Sequence, residues 1–374
     1  MKKWSAEKAE NWSKKQGWLR GMNYRPRDCR NSLEIFQEYG FEDHLPVMEA
    51  EFSLAAGIGF NSMRLITSYE VWRDQHDGYM SRLDRIIGLA YKYGIKTMLT
   101  FGNDCFPPKA LYKPVVYGPQ PIDEGYHGGV KNTPHKNYGE PGYNPFVDEP
   151  QERKKLIAMT RETVSRYARD ERVVVLDIFN EPGNGSRGSM SLDAMREMFE
   201  AARAENPDQP LTSGIWNYKI DFEVGKLVLD KSCDEIQQAA LDLSDVISYH
   251  DYGGFSGSAA LIKVLKRDYK RPLFNTEWLN RIQRNNIFDQ YPLMMAEKVN
   301  CYCWGLVAGK SQTFEPWESM WQRVENGTAP PEWDLTKWMH DLFRASHRPY
   351  DPKEIELIKR INKFGDAIYK PEKP

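Results

Sequence analysis

A glutamate follows a run of apolar residues that is typical of a buried strand. Residues 173–176 read Val-Val-Val-Leu, and Asn180-Glu181-Pro182 comes shortly after them. Such a β-branched run indicates a strand covered on both faces. Pro182 has no N–H to donate to a ladder, so the strand must end beside Glu181. A carboxylate at that place is costly unless polar groups surround it, although a single glutamate could also be the first solvated residue of a loop.

A second segment of the same kind argues against the simple loop. Residues 272–278 read Pro-Leu-Phe-Asn-Thr-Glu-Trp, so Glu277 ends another short strand, 96 positions after Glu181. A (β/α)₈ barrel of about 250 residues uses roughly 31 residues per strand and helix, so 96 positions correspond to three units. Glu181 would then end strand 4 and Glu277 strand 7, on the same face. Two carboxylates facing each other across a cleft are the groups that hydrolyse glycosidic bonds.

The rest of the chain supplies the other elements of such a barrel. Alternating strands and helices predict an α/β protein with a parallel sheet, and no glycine-rich phosphate loop supports a doubly wound alternative. We therefore predict a single domain over residues 1–374, with a (β/α)₈ TIM barrel at about 18–345. Further strands are predicted at 18–24, 60–66, 95–102, 210–216, 245–252 and 299–307. Helices are predicted at 33–57, 83–93, 149–168, 192–204 and from an Asp334 cap to about 344, with additional helices at 5–16 and 352–369.

Composition excludes several classes of protein. The 374 residues are 40% hydrophobic and 28% charged, as in ordinary globular domains. The net charge of −2 gives no indication of a basic surface that would bind nucleic acid or an anionic membrane. No stretch reaches the ~18 apolar residues of a membrane span. The first residues contain no apolar signal segment, which predicts a cytoplasmic protein, although a chain whose signal had been removed would read the same. The oligomeric state is not predicted.

Cysteines and aromatic residues narrow the chemistry further. Five cysteines without regular spacing predict neither a disulfide framework nor a metal site, and Cys301 and Cys303 are interpreted as buried thiols. We expect no metal and no organic cofactor. Aromatic residues make up 13% of the chain, with 11 Trp and 20 Tyr. Those not needed for the core could stack on the apolar faces of sugar rings.

Polar and aromatic residues also occur at the predicted ends of other strands. With the two glutamates, they resemble clan A glycoside hydrolases, most nearly the family 5 cellulase-like enzymes, over about residues 18–344. The resemblance implies that Glu277 is the nucleophile, that Glu181 is the acid/base, and that the substrate is an oligosaccharide or polysaccharide fragment. The candidate substrate-binding residues at strand ends are Arg64, Asn180, Trp216, His250, Tyr252 and Trp304.

The resemblance also implies individual roles. Asn180 would bond the sugar 2-hydroxyl, Arg64 and Tyr252 would hold the nucleophile ionised, His250 would line the cleft near the acid/base, and Trp304 would form the floor of the cleaved subsite. Taken singly, each has a structural interpretation, such as an ion pair or a core position. With no strong cation evident beside it in the sequence, Glu181 is expected to keep its proton nearer neutral pH.

The end of strand 3 departs from the family pattern, which usually has a histidine there. This chain reads Phe101-Gly102-Asn103-Asp104. Asn103 or Asp104 could take the place of that histidine, or His127 or His135 could reach the cleft from the long loop that follows.

Two loops should shape the cleft. Residues 103–148 form a long insertion after strand 3, and because of its many tyrosines we expect it to cover the catalytic face with aromatic rings by the cleft. The segment 309–317 after strand 8 could form a wall, with Lys310, Gln312 and Trp317 as candidate sugar contacts.

The sequence therefore predicts a retaining β-glycoside hydrolase that acts on gluco-, manno- or xylo-configured oligosaccharides. An exo-acting enzyme that releases one terminal sugar is an alternative, as is a carbohydrate-binding barrel that has lost catalysis. A metal-dependent hydrolase is disfavoured because no ligand cluster is evident.

Overall fold

The computed structural model describes residues 2–372 and contains one eight-stranded parallel sheet. Its spatial order, in chain numbering, is 5-4-3-2-1-10-9-8. The strands are β1 (Arg20–Asn23), β2 (Ser62–Ile66), β3 (Lys96–Asn103), β4 (Val173–Asn180), β5 (Leu211–Ser213), β6 (Tyr218–Asp221), β7 (Lys226–Leu229), β8 (Ile247–His250), β9 (Leu273–Trp278) and β10 (Asn300–Trp304), of which β6 and β7 form a separate antiparallel hairpin.

The two ends of this sheet meet and close a barrel. Beyond β5, Ile215 forms a parallel bridge with Tyr249 of β8. The Ile215 N–H donates to the Ser248 carbonyl (3.2 Å), and the His250 N–H donates to the Ile215 carbonyl (2.8 Å). The structure thus confirms the predicted (β/α)₈ architecture of a single domain, with the β6–β7 hairpin as an addition that the sequence analysis missed.

Helices cover the outside of the barrel. Several begin where the sequence supplies a capping side chain, as when Ser5 accepts from the Lys8 N–H and Asp351 accepts from the Lys353 N–H. The helices are α1 (Ala6–Gln16), α2 (Ser32–Phe36), α3 (Phe41–Gly57), α4 (Tyr69–Asp74), α5 (His76–Lys92), α6 (Pro145–Asp148), α7 (Pro150–Tyr167), α8 (Leu192–Ala204), α9 (Asp234–Leu243), α10 (Phe255–Tyr269), α11 (Ile287–Ala296), α12 (Glu318–Glu325) and α13 (Pro352–Ile368), with 3₁₀ turns at Lys109–Leu111, His127–Gly129 and Arg281–Gln283. No helix in the described range 2–372 is long and apolar enough to cross a membrane.

The predicted helix from Asp334 to about residue 344 is wrong. The Asp334 carboxylate accepts hydrogen bonds from the backbone and hydroxyl of Thr336, which closes a local turn instead of starting a helix. Helix α13 occupies the eighth helical position instead. It packs against α11, and Asn362 in it is bonded to the hydroxyl of Tyr291. The helix placed outside the barrel by the sequence analysis is therefore part of it.

Apolar side chains fill the barrel away from its catalytic face. Val174, Met98, Phe274 and Tyr302 form a buried cluster within the strands, against which Trp12 of α1 packs. A larger core lies between the strands and the surrounding helices. This packing fixes the strands, and therefore the positions of the side chains at their C-terminal ends.

The long connection from β3 to α6 lies over the C-terminal face and is fastened to the segment after β10. Gln312 accepts from the Gly125 N–H (2.7 Å) and donates to the Asp123 carbonyl (2.9 Å). Gly129 approaches Lys310 so closely that a Cβ atom would lie 2.7 Å from the Lys310 carbonyl oxygen. The loop is thus held over one end of the barrel opening, as expected from its origin at strand 3.

Candidate active site

The C-terminal strand ends surround a cleft of about 1050 Å³. Strand register explains how distant residues meet there. The ladders pair Asn103 with Asn180, and His250 with Glu277. Of the predicted site residues, those that line the cleft are Asn103, Asn180, Glu181, Trp216, His250, Tyr252, Glu277, Trp304 and Trp317.

Glu277 ends β9 and is 5% exposed. Its Oε1 accepts from Arg64 Nη1 at 2.7 Å. Its Oε2 accepts from the Tyr252 hydroxyl and from Trp304 Nε1, each at 2.9 Å. Three donors, one of them cationic, hold the carboxylate in a fixed orientation.

Arg64 lies below the cleft, fully buried, and organises the site from there. It donates through Nε and Nη2 to Asp177 Oδ2 (2.9 and 2.7 Å), and through Nη1 to Asn23 Oδ1 (2.8 Å) as well as to Glu277. Burial lowers the pKa of Arg64, but the charges of Asp177 and Glu277 outweigh it and raise that pKa above its ordinary value. The guanidinium therefore stays charged and ties β1, β2, β4 and β9 together.

Glu181 follows β4 and is 8% exposed, with a left-handed backbone at φ 45°. That conformation is costly for a residue with a side chain and occurs at functional sites that hold it in place. His250 Nδ1 lies 2.7 Å from Oε1 of Glu181. The other oxygen accepts from the Cys105 thiol (Sγ–Oε2, 3.0 Å) and from the Asn184 amide.

The two glutamates are close together. One carboxylate oxygen of Glu181, one of Glu277 and a ring nitrogen of His250 all lie within 4.8 Å of one another. Retaining glycosidases hold their carboxyl groups about 5–5.5 Å apart, whereas inverting ones leave roughly 6.5–9.5 Å for a water. The geometry therefore suits attack by one carboxylate itself.

Residues 31–301 match the cellulase family, glycosyl hydrolase family 5. The chain belongs to this family. It is therefore a glycoside hydrolase of the retaining type. No curated protein matches it in sequence at a significant level.

Solved structures share the fold at low sequence identity. The endo-β-1,4-mannanase from Thermotoga petrophila is 14% identical with a TM-score of 0.58, covering 97% of this chain and 80% of that one. The exo-β-1,4-mannosidase Op5Man5 from Opitutaceae bacterium strain TAV5 is 16% identical with a TM-score of 0.56, covering 94% of this chain. This chain spans 60% of Op5Man5. Thermotoga maritima Cel5A, solved with cellobiose, is 11% identical with a TM-score of 0.52, covering 93% and 98%.

The histidine expected of family 5 at the end of strand 3 is replaced by Asn103. Its Oδ1 accepts from the Asn180 amide at 2.9 Å and it faces the cleft. Asp104 instead lies in the core, where it pairs with Arg187 at 2.8 Å. His127 also reaches the cleft, from the long loop.

An aromatic and imidazole wall lies on the Glu277 side of this family 5 cleft. His135 from the long loop stacks on Trp317 with centroids 5.6 Å apart, and Trp317 meets the edge of Tyr252 at 5.0 Å. His340 stacks on Trp304 at 6.2 Å. On the opposite side, Trp216 Nε1 donates to the Pro182 carbonyl beside Glu181, at 3.0 Å.

The tyrosines of the long loop do not form this wall, so that part of the expectation is wrong. Tyr117 donates to the Glu70 carbonyl at 3.0 Å, and Tyr143 to Glu149 at 2.7 Å, both away from the cleft. Tyrosine hydroxyls prefer such polar partners at a loop surface. Lys310 and Gln312 also act as ties, since Lys310 pairs with Glu34 at 3.3 Å.

The expectation that Glu181 keeps its own proton is also wrong. Burial raises the pKa of Glu181, but the hydrogen bond and charge of His250 outweigh it and hold that pKa at about 2. The sequence analysis placed His250 in the cleft near the acid/base, but it did not anticipate that a ring nitrogen of His250 contacts this carboxylate. The structure therefore holds Glu181 as the carboxylate.

Several residues of the site were missed. Asp177 is the one that sequence could have revealed, because a charge inside the apolar run 173–179 needs a buried partner. Asn23, Cys105, Asn184 and His340 carry no such signal. The donors around both glutamates leave each carboxylate oxygen hydrogen-bonded, which suits acid–base and nucleophilic chemistry better than metal ligation.

Proposed function

We propose that this family 5 enzyme cleaves β-linked gluco-, manno- or xylo-configured oligosaccharides by double displacement. The observation that carries the proposal is the close pairing of Glu181 and Glu277 in different hydrogen-bonding surroundings. Glu277 accepts hydrogen bonds from a guanidinium, a phenol and an indole, whereas Glu181 contacts an imidazole, a thiol and an amide. The first set includes a guanidinium, which stays charged, and the second contains no guanidinium or ammonium group.

Each step then has a group to perform it. Glu277 attacks the anomeric carbon, the bond to the leaving oxygen breaks, and Glu181 delivers the proton that the pair with His250 supplies. In the second step Glu181 takes a proton from water, the water oxygen bonds to the anomeric carbon, and Glu277 departs as a carboxylate.

Exo action is the second candidate, and the closed end of the cleft favours it. The long loop and the segment after β10 are joined there by hydrogen bonds, including Ser319 N–H to the His135 carbonyl (3.1 Å) and Asn137 N–H to Gln322 (3.2 Å). A cleft bordered by these bonded segments limits how many sugars it can hold on that side of the cleaved bond. The similar structures include both exo- and endo-acting enzymes.

Two experiments test the proposal. Hydrolysis rates identify the sugar that is cleaved when they are measured with aryl β-glucosides, β-mannosides and β-xylosides and with the matching β-1,4-linked oligosaccharides. Release of single terminal sugars from oligosaccharides labelled at the reducing end identifies exo action. Proton NMR of the first product formed shows whether the β configuration is kept. An α product, or no hydrolysis of any β-glycoside, would refute the proposal. A catalytically inactive binding barrel predicts that last result.

A further inference from the structure

The cleft has a leaving-group end and a glycone end, and the two glutamates define them. The group that protonates the leaving oxygen must lie on the leaving-group side, so Glu181 and Trp216 mark that end. The sugar attacked by Glu277 lies toward Trp304, and the residues beyond Trp304 face the glycone. Those residues come from the segment after β1 and from the long loop.

Arg25 lies at the glycone end without a carboxylate partner. Its guanidinium carbon is 5.6 Å from the ring centroid of Trp304, and Nη1 donates to the Arg30 carbonyl at 3.1 Å. In the described range, Arg25 forms no ion pair. Glu277, the nearest catalytic carboxylate, is already held by Arg64, Tyr252 and Trp304.

Arg30 lines the same end of the cleft. Its Nη2 donates to Gln120 at 3.3 Å, whereas its Nε is buried and has no partner among the residues that the structure describes. Burial lowers the pKa of Arg25 to about 10, and the charge of Arg30 contributes to that lowering. Arg25 and Arg30 thus line one cavity, and the charge of Arg30 makes the charged form of Arg25 less favourable, whereas Glu34 and Asp123 favour the charged form of Arg30.

The fully buried arginines of the chain are arranged differently. Arg187 pairs with Asp104 and Asp148, and Arg64 with Asp177 and Glu277, all at 2.7–2.8 Å. Each of these two fully buried arginines is therefore paired with two carboxylates. Guanidinium groups left unpaired in a cleft suit an anionic ligand, which they can bind through paired N–H donors.

We propose that Arg25 and Arg30 form a subsite for an anionic substituent on the glycone, either the carboxylate of a uronic acid or a sulfate ester. This inference rests on the proposed function for the orientation of the substrate. It narrows the substrate class from neutral to acidic oligosaccharides. An anion there offsets one of the two positive charges, accepts hydrogen bonds from the guanidiniums and places the sugar ring over Trp304.

Binding to the inactive Glu277→Gln variant tests the subsite separately from hydrolysis. The probes are cellobiose and β-1,4-mannobiose, each compared by calorimetry with its derivative oxidised at C6 of the non-reducing sugar and with its 6-O-sulfate at that sugar. We expect one acidic disaccharide to bind at least 10-fold more tightly than its neutral parent at low salt. The carboxylate and sulfate series show which anion is preferred.

Three further variants assign the effect. In the Glu277→Gln background, Arg25→Gln and Arg30→Gln should bring the acidic-to-neutral ratio close to one. Arg27→Gln, a change at an arginine that does not line the cleft, should leave the ratio unchanged. High salt should also reduce the ratio, because the attraction is between charges.

Several results would overturn the inference: equal or weaker binding of both acidic series, no binding of any acidic disaccharide, or an equal loss of acidic and neutral binding in Arg25→Gln. The last would mean that the guanidinium recognises neutral hydroxyls. If the wild-type enzyme hydrolyses no β-glycoside while the variant binds acidic sugars more tightly, the proposed function fails and the subsite stands. If the wild-type enzyme hydrolyses β-glycosides while the variant shows no preference for acidic sugars, the proposed function stands and the subsite fails.

Discussion

The thiol of Cys105 provides a sensitive test of how Glu181 is tuned. Its Sγ lies 3.0 Å from Glu181 Oε2, and burial raises the pKa of the thiol well above its ordinary value, so it remains a neutral donor. Replacing Cys105 by Ala removes this donor, whereas replacing it by Ser keeps one. The ionised form of Glu181 is the form that such a donor stabilises.

The size of the effect follows from one neutral hydrogen bond. Such a bond contributes about 1 kcal/mol, and one pKa unit corresponds to about 1.4 kcal/mol, so its loss raises the pKa of Glu181 by roughly 0.7 unit. Asn184 donates to the same oxygen, which makes about 0.5 unit the better expectation for Cys105→Ala. Because the protonated form of Glu181 gains relative to its carboxylate, the alkaline limb of the pH profile of kcat/KM should move upward by up to this amount.

The assay is kcat/KM against pH for a slow-leaving aryl β-glycoside, which needs the proton, and for a dinitrophenyl β-glycoside, which does not. We expect the shift only with the slow-leaving substrate and a smaller one in Cys105→Ser. Cys233→Ala, at a buried thiol near α9, is the control for loss of a cysteine as such. A downward shift in Cys105→Ala, or equal shifts in the Ala and Ser variants, would refute the reasoning.

Four other substitutions probe catalysis and stability. Glu277→Ala should abolish turnover of all substrates, whereas Glu181→Ala should keep the first step for dinitrophenyl glycosides and be rescued by azide with a β-configured product, as rate measurements and NMR can show. Arg187→Met leaves Asp104 buried without its cation and should lower the free energy of unfolding in urea by about 3–5 kcal/mol. Burial raises the pKa of Glu51 to about 8 from 4.5, so folding binds an extra proton and stability falls as pH rises between these values; Glu51→Gln should flatten that part of the Tm-against-pH curve.

Each of these predictions has an outcome that would contradict it. Equal loss of every activity in both glutamate variants, without azide rescue, would reverse or remove their assigned roles. A loss below about 1 kcal/mol in Arg187→Met would mean that water reaches Asp104. An unchanged pH slope in Glu51→Gln would place the titrating group elsewhere.

The barrel and its two glutamates could be predicted because their signals are local. Val173–Asn180 is a buried strand by its residue types, and the spacing of Glu181 and Glu277 fits three repeating units. The helix predicted from Asp334 was wrong because a side chain that can cap the start of a helix can equally close a turn. The β6–β7 hairpin was missed since its strands are short and its turn, held by Asp221, has no strong two-residue signature.

The site was less predictable where function depends on the direction in which a side chain points rather than on its position along the chain. Sequence placed His250 at a strand end near the acid/base but could not show its direct contact with Glu181, so the low pKa of Glu181 was not expected. Cys105 and Asn184 reach Glu181 from loops whose paths depend on packing across the barrel. The unpaired state of Arg25 is a property of its neighbours in space, which no spacing along the chain can express.

The barrel seam has a consequence for how such an enzyme could diversify. Seven of the eight strand boundaries are paired as ladders, whereas β5 and β8 are joined by the isolated bridge between Ile215 and Tyr249. Trp216 and the hairpin that begins at Tyr218 emerge at this seam, on the leaving-group side. The opposite side is fastened by several loop-to-loop hydrogen bonds. Changes of length or sequence in residues 217–230 therefore disturb few of the hydrogen bonds that hold the barrel. Exchanging this segment by protein engineering could alter which leaving group the enzyme accepts and keep its glycone specificity unchanged.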